Sequence, residues 1–362
     1  MSATEPLRMR GHQPSDELRL HFPLPPLDYS HDYEDIVEGT REWARPYTRY
    51  LGARDHDILD SCAYSANMCL NPRVPQHLRV WFSAVSSWLL LSDDLYDRGT
   101  IQDRQQRYAE VAPQQRHALL TPLDIPDPDR LHPLSAYIWA LRRYGEEHAP
   151  PAAVRGVMKG LERGLRETAT EIGYAVRAEH CGADEYIRRL LSGAKYTGAF
   201  TTLEEVCNRL TIPENERRHP IMQGLYRLTG TLAHLHLDFA GWANDGPGEA
   251  YNLINAVAHD LGIPPCKAGP PAVELVNLVM ELFLQLREKL KPQIGEATRT
   301  LLDELDWMLR GNMDWALYTT RYAGDTNPMR LLLPEEHQTP VPPPRLDKAP
   351  CPALGPLFDL LT

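Results

Sequence analysis

The sequence has no excess of basic residues, no long apolar run and no paired cysteine motif. It carries 38 lysines and arginines against 49 aspartates and glutamates, a net charge of −11. Because nucleic-acid binding needs a basic surface, we expect no nucleic-acid partner. Nowhere do about 18 uncharged apolar residues follow one another, so we expect no membrane span, no secretory leader and a cytoplasmic protein.

The six cysteines are scattered and form no CxxC pair. In a reducing compartment we expect them to be free thiols rather than disulfides or a zinc site. β-Structure is not expected either, because no stretch combines sustained period-two alternation with turn dipeptides. The absence of a fixed-period repeat also argues against a helical solenoid.

Helical periodicity fills most of the chain, and proline- or glycine-containing breakers divide it into segments. We predict helices over residues 31–51, 55–70, 77–97, 102–119, 133–147, 151–179, 184–209, 217–243, 249–262, 271–291 and 295–323. The fold class predicted is all-α, a single antiparallel helical bundle. Residues 1–30 are interpreted as an extended lead-in, 31–325 as the helical domain, and 326–362 as a proline-rich tail that folds over a site or trails.

An apolar stretch of helical length, residues 80–99, ends in Asp93, Asp94 and Asp97. On a helix Asp93 and Asp97 share a face, with Asp94 beside them. Carboxylates crowded in this way repel one another unless a cation lies between them, and hard oxygen ligands suit Mg²⁺. An acidic helix end facing solvent is the alternative. The preceding turns, however, are apolar nearly all round, which is typical of a buried helix.

The helical pattern of residues 184–209 is interrupted at Gly193 and again at Gly198. A glycine inside a helix costs about 0.5–1 kcal/mol relative to alanine, so the two glycines indicate a kink or a close backbone approach. Arg189 stands one turn before the break. A functional role for this arginine competes with the alternative of an ordinary surface residue.

Farther along the chain, residues 311–322 end in Arg321-Tyr322. An arginine can bind phosphate oxygens through two hydrogen bonds, and a neighbouring tyrosine hydroxyl can add another. Together with the DDLYD motif and the Arg-x-x-Ser-Gly-Ala break, in this order, the Arg-Tyr pair makes the chain resemble a bacterial class I terpene synthase. The resemblance runs from about Phe22 to Tyr322 and therefore covers most of the chain.

This resemblance implies a class I terpenoid synthase fold and an enzyme. The reaction would be the Mg²⁺-dependent ionisation and cyclisation of a prenyl diphosphate to a terpene hydrocarbon or alcohol. Farnesyl diphosphate, geranylgeranyl diphosphate and a pre-cyclised diterpenyl diphosphate stay open as substrates. Antiparallel homodimers are common in the family, and by this analogy alone a homodimer stays open for this chain. The implied residues are Asp93, Arg189 and Gly193 for catalysis, Asp93, Asp94 and Asp97 for metal binding, and Arg189, Arg321 and Tyr322 for binding the diphosphate.

Aromatic rings can stabilise a carbocation by cation–π attraction in a pocket that excludes water. For each candidate, ordinary core packing is the alternative. The candidates are Trp81, Phe82, Trp88, Tyr196, Phe200, Trp242 and Trp315, of which Trp88 and Trp315 are assigned to substrate binding.

The family's second metal motif, Asn-Asp-x-x-Ser-x-x-x-Glu, is incomplete in this chain. Read literally it begins at Asn244-Asp245, which we take as metal ligands, but Gly248 and Asn252 then replace the serine and the glutamate. A proline at 247 would also end or kink the helix there.

A second register, set by the flanking residues, places His236, Ala240 and Asn244 at the three ligand positions, and we favour it slightly. Asn244 is a motif position in both registers. Asp238 and Glu249 are nearby carboxylates that could contribute. Because imidazole is a poor Mg²⁺ ligand, His236 would bind phosphate or water rather than the ion.

The incomplete motif keeps a second class of function open. The chain could be a catalytically impaired prenyl-binding or scaffold protein of the same fold. A head-to-tail prenyltransferase is less favoured, because no second DDxxD motif follows. Catalysis requires the aspartates and Arg189 to converge on one cavity.

Overall fold

The computed structural model describes residues 19–29, 33–48, 53–121, 130–245, 249, 251–322, 327–333 and 341–362, without the side chains of residues 48, 53–56, 243–245, 328 and 331. In this part of the chain every regular element is helical, which confirms the all-α prediction. The helices are α1 Tyr33–Thr48, α2 Ala53–Cys69, α3 Gln76–Asp97, α4 Ile101–Leu120, α5 Pro133–His148, α6 Pro151–Arg177, α7 Ala183–Ser192, α8 Thr197–Cys207, α9 Glu214–Arg217, α10 Pro220–Asp245, α11 Leu253–Leu261, α12 Gly269–Leu290, α13 Glu296–Tyr318 and α14 Gly355–Phe358.

Most helices begin and end within a few residues of their predicted limits. The helix predicted over 249–262 begins only at Leu253, because the Asn252 side chain accepts a 2.9 Å hydrogen bond from the Ile254 N–H and caps the helix there. No helix in the described ranges is long and apolar enough to cross a membrane. All six cysteines are free thiols, as predicted.

Helix α3 is buried on nearly all sides by the rest of the bundle. Trp81 and Trp88 have no exposed surface, and a buried indole N–H needs a hydrogen-bond partner. Each donates a 2.9 Å bond to a backbone carbonyl of α5, Trp81 to Leu141 and Trp88 to Leu134. These two bonds hold α3 in a fixed rotation about its axis, which fixes the direction in which its terminal aspartates point.

The predicted interruption of the helical pattern is a sharp break between α7 and α8 at residues 193–196. Gly193 has a φ of 105°, and Lys195 and Tyr196 have φ values of 50° and 60°. The left-handed region costs a non-glycine residue on the order of 1 kcal/mol or more, so the surrounding structure must hold these two residues in place.

Close contacts with α6 and α10 hold the break in place. A Cβ atom at Gly164 of α6 would lie only 2.3 Å from the Tyr196 ring, and one at Gly230 of α10 only 2.2 Å from the Thr197 carbonyl oxygen. A Cβ atom at Gly160 would likewise come within 2.8 Å of the α8 backbone. Glycine at these positions lets two helices approach the break more closely than any other residue would allow.

The described parts of both chain ends pack on the bundle. The Leu20 N–H donates a 2.8 Å bond to the Leu332 carbonyl oxygen, which joins the N-terminal lead-in to the segment after α13. Near the C-terminus, Leu354 and Leu357 are buried. Residues 341–362 contribute no side chain to the cavity described below.

The contact at Gly230 predicts a loss of stability in a Gly230→Ala variant. The added methyl group would overlap a backbone carbonyl, so α10 or the break must shift at a cost of about 1–3 kcal/mol. Urea denaturation followed by circular dichroism measures this cost. Gly269→Ala is the matched control, because nothing lies within 4 Å of its Cβ position at the start of α12. Equal stability of the two variants would contradict the contact.

Candidate active site

One cavity lies between α2, α3, α8, α10 and α13 and holds about 1260 Å³ of empty space, including its open mouth. Its small, apolar or uncharged lining side chains include Cys62, Ser65, Cys69, Ser86, Leu89, Leu90, Phe200, Ala233, Leu237, Met308, Asn312 and Trp315. Its other ionisable lining side chains are Asp93, Asp97, Lys195, His234, Asp238, Glu249, Tyr251, Arg321 and Tyr322, together with Tyr196. Lys195 and Arg321 both lie within 4 Å of Asp93, so these charged groups cluster in one part of the cavity, which we call its charged end.

Asp93 and Asp97, one turn apart at the end of α3, both line the cavity. Arg104 of α4 holds Asp97 through an ion pair of 2.7 Å. Removal from water, together with the neighbouring charge of Asp93, raises the pKa of Asp97 to about 6. A carboxylate whose ionisation is opposed by a neighbouring negative charge is a favourable place for a cation.

Mg²⁺ takes only one or two protein carboxylates together with substrate phosphates and water. No three Asp, Glu, His or Cys side chains among the described residues form a ready-made metal cluster. Asp93 and Asp97 alone nevertheless supply the oxygen donors that a Mg²⁺–diphosphate complex requires. The residues present therefore fit the ion.

Asp94 has a different position from its two neighbours. It is buried and does not line the cavity. Its carboxylate accepts hydrogen bonds from Arg321 at 3.0 Å and from Arg98 at 3.2 Å. In this arrangement Asp94 orients Arg321 towards the acidic motif, and its role as a metal ligand stays a prediction.

The Arg321-Tyr322 pair lies on a 3₁₀ turn directly after α13 and lines the cavity. Besides bonding Asp94, the Arg321 guanidinium lies 3.7 Å from Asp93. The Trp315 ring packs edge-on against Tyr322 at 5.6 Å, and its indole N–H donates a 2.8 Å bond to the Ser61 carbonyl. The last turn of α13 is thus fixed to α2 and carries the guanidinium to the acidic motif of α3.

Lys195 is a site residue that sequence reasoning missed. Its ammonium lines the cavity, donates a 2.7 Å hydrogen bond to Glu171 of α6 and lies 3.9 Å from Asp93. Burial raises the pKa of Glu171 to about 8 even beside the lysine. The only sequence signal for this residue was its place in the break two positions after Gly193.

Arg189 and Gly193 do not line this cavity, so the structure does not meet the expectation that Arg189 converges with the aspartates on one cavity. Arg189 forms 2.7 Å ion pairs with Glu167 and Glu185. Burial raises the pKa of Tyr251, and the positive charge of Arg189 partly opposes this rise. Arg189 thus lies near Tyr251, which lines the cavity, and Gly193 lies at the break itself.

Three of the aromatic candidates, Tyr196, Phe200 and Trp315, line the cavity. Trp88 is fully buried and packs edge-on against Tyr196 at 6.1 Å. Its position is that of a core residue behind the wall and does not support direct contact with substrate. Trp81, Phe82 and Trp242 are also fully or almost fully buried and do not line the cavity.

A family model described as "Terpene synthase family 2, C-terminal metal binding" matches residues 84–281, more than half of the chain. The chain belongs to this terpene synthase family. The recognition made from the acidic motif, the helix break and the Arg-Tyr pair is confirmed.

Several relatives and solved structures agree with this membership. The synthase is 25% identical over 296 residues to a spiroviolene synthase of Streptomyces violens, covering 79% of this chain and 80% of the relative. It is 24% identical to a bonnadiene synthase of Allokutzneria albata, over 91% and 93% of the two chains. A variant of the ancestral-reconstruction protein SVS_A2 superposes with a TM-score of 0.80 at 19% identity, over 95% of this chain and 99% of that chain. This last likeness confirms the fold.

The second metal motif of this synthase has no complete ligand set among the described residues. Asn244 and Asp245 end α10, and their side chains lie outside the described part of the structure. In the register set by the flanking residues, neither His236 nor Ala240 lines the cavity. The structure therefore does not favour that register.

The literal register also lacks an acidic ligand at its third position, where Asn252 replaces the glutamate. Asn252 is buried and caps α11, and it also donates a bond of 3.3 Å to the Asp238 carbonyl oxygen. The nearby Asp238 carboxylate accepts bonds from the Tyr186 hydroxyl at 2.7 Å and from the Leu253 N–H at 3.2 Å. Asp238 therefore anchors the start of α11.

The burial of His236 predicts how the stability of the synthase depends on pH. The ring packs against Phe22 at 5.3 Å, and burial lowers the pKa of His236 from 6.5 to about 3. The unfolded chain takes up a proton below about pH 6.5 that the folded protein does not, so this contribution to stability is lost as the pH falls. Between about pH 7.5 and about pH 5.5 the loss should be roughly 1 kcal/mol.

Urea denaturation of the wild type and of His236→Gln at these two pH values checks the prediction. The variant keeps a polar side chain but cannot titrate, so its stability should depend less on pH by roughly 1 kcal/mol. An identical pH dependence of the two proteins would show that His236 does not control it.

Proposed function

We propose that the synthase ionises and cyclises a prenyl diphosphate to a terpene hydrocarbon or alcohol and releases diphosphate, with Mg²⁺ as the metal. One observation carries the proposal: Asp93, Asp97, Arg321 and Tyr322 line one cavity together with apolar side chains such as Leu89, Leu237 and Met308, and the Arg321 guanidinium lies 3.7 Å from Asp93. A diphosphate at the charged end would place its prenyl chain in the apolar part. The two aspartates and the Arg-Tyr pair lie more than 200 residues apart in the sequence, so their convergence is a property of the fold.

The charged end would bind the leaving group. Asp93 and Asp97 would hold Mg²⁺, which supplies positive charge to the departing diphosphate. Arg321 would donate hydrogen bonds to the diphosphate oxygens and Tyr322 would add one from its hydroxyl. Because Asp94 and Trp315 already hold this turn in place, little reorganisation is needed when the charge develops.

The apolar end would protect the carbocation. Leu89, Leu237 and Met308 keep water away from it. The rings of Tyr196, Phe200 and Trp315 can stabilise positive charge through their faces. The product is therefore set by the shape of this wall.

The roles that the family resemblance implies for Arg189 and Gly193 stay proposals. Arg189 lies one turn before the break and beside Tyr251, so a diphosphate that attracted its guanidinium would act on both. Movement at Gly193 would then reach Lys195 and Tyr196, which follow it directly and line the cavity. A homodimer, a cytoplasmic location and the absence of a nucleic-acid partner also stay predictions.

The direct test of function is incubation of the purified protein with Mg²⁺ and one prenyl diphosphate at a time. Farnesyl, geranylgeranyl and a pre-cyclised diterpenyl diphosphate should be compared, because one named relative, a (+)-T-muurolol synthase of Streptomyces clavuligerus, cyclises farnesyl diphosphate. Gas chromatography with mass spectrometry should detect a terpene from at least one of them. No product from any of the three, with the fold confirmed by circular dichroism, would leave the prenyl-binding protein as the better interpretation.

A metal-site variant tests the assignment of Asp93. Asp93→Ala should lower turnover by about 100-fold or more, since it removes a charge that acts directly on the leaving-group complex. Its helical circular dichroism signal should be unchanged. Asp303→Ala, which removes an exposed acid of α13, is the matched control and should turn over at the wild-type rate. Full activity of Asp93→Ala would show that the metal is held elsewhere.

A further inference from the structure

The side chain of Lys195 enters the cavity because the backbone turns there in an unusual way. Gly193, Lys195 and Tyr196 all have positive φ values. Two consecutive non-glycine residues in this region are sparsely populated and persist only where the surrounding structure enforces them. Because this strained backbone brings an ammonium group into the cavity, the strain indicates that the ammonium has a role there.

The ammonium lies among acidic side chains that come from three segments of the chain. On one side it is 3.9 Å from Asp93, in the acidic motif of α3. On another side Glu249, in the segment after α10, lines the same cavity and adds to the negative field around the lysine. Glu171 of α6 holds the ammonium through a 2.7 Å bond.

A buried structural ion pair would explain only part of this arrangement. Glu171 alone would satisfy one of the three N–H donors of the ammonium. The lysine lines the cavity rather than being enclosed by α6 and α8, and 18% of its side chain is exposed. The Tyr251 ring lies 5.8 Å from Nζ and restricts its position from another side.

We propose that Lys195 is a diphosphate-binding residue whose ammonium supplies, from the chain itself, positive charge that the incomplete second metal motif does not. The inference rests on the proposed function in one respect, that the anion bound at this end of the cavity is a diphosphate. Lysine suits the role because it is a compact charge with three rotatable donors. It can keep its bond to Glu171 while it donates to a phosphate oxygen.

This role has a consequence for metal use. With one cation already provided by the chain, diphosphate binding requires less Mg²⁺ from solution than it would without Lys195. Removal of the lysine should therefore raise the Mg²⁺ concentration at which diphosphate binding is half-maximal. A lysine that only stabilises the helix break would not produce this shift.

Binding of inorganic pyrophosphate, measured by isothermal titration calorimetry at several Mg²⁺ concentrations, tests the inference without any turnover. Lys195→Met keeps the length of the side chain and removes its charge, and it should weaken pyrophosphate binding by about 10- to 100-fold at low Mg²⁺. Lys195→Arg should retain most of the affinity. Lys267→Met, at an exposed lysine before α12, is the control and should bind like the wild type.

The double variant Glu171→Gln with Lys195→Met separates binding from structure. If Lys195 only neutralised Glu171, removing both charges would restore pyrophosphate binding, and that result would overturn the inference. We expect binding to stay weak in the double variant, whose fold is checked by circular dichroism and thermal unfolding. Unchanged binding in a folded Lys195→Met would overturn the inference as well.

These measurements distinguish this inference from the proposed function. Loss of pyrophosphate binding in Lys195→Met, in a protein that converts no prenyl diphosphate, would support the lysine site and reject the synthase activity. Product formation by the wild type, with pyrophosphate binding unaffected in Lys195→Met, would support the activity and reject the lysine site.

Discussion

The close approach of α6 and α10 to the helix break is the constraint on which the site depends. Gly164 and Gly230 leave room for the Tyr196 ring and the Thr197 carbonyl, and no larger residue would fit at either position. The left-handed residues of the break are held by this packing rather than by local preference. Packing by glycines of α6 and α10 therefore decides which side chains of the break reach the cavity.

The charges at the mouth of the cavity are brought together from distant parts of the chain. α3 contributes Asp93 and Asp97, the break contributes Lys195, and the turn after α13 contributes Arg321. Lys195 and Arg321 both approach Asp93, at 3.9 Å and 3.7 Å. Acids and cations interleaved in this way give an anion and its metal ions complementary partners in one place, which favours their joint binding over that of either alone.

Much of this arrangement could be predicted from the sequence, because periodicity and breakers mark helices and because Arg321-Tyr322 is a specific pair. Trp88 shows one limit: a helix that is apolar all round does not reveal which side faces a cavity. Lys195 shows another, since its direction depends on contacts with glycines on α6 and α10 that are far away in sequence. The register through His236 relied on spacing and on the likeness of the flanking residues, neither of which reports the rotation of α10 about its axis.

Two thiols, those of Cys62 and Cys69, line the cavity, and their protonation state affects how they would react with a carbocation. Burial raises the pKa of Cys62 to about 12 and raises that of Cys69 as well. Since the thiolate is the strongly nucleophilic form of cysteine, both sulfurs are held in their less reactive state. The carbocation of the proposed reaction would meet neutral S–H groups rather than thiolates, and its reaction with these sulfurs would be slower than with the charged form.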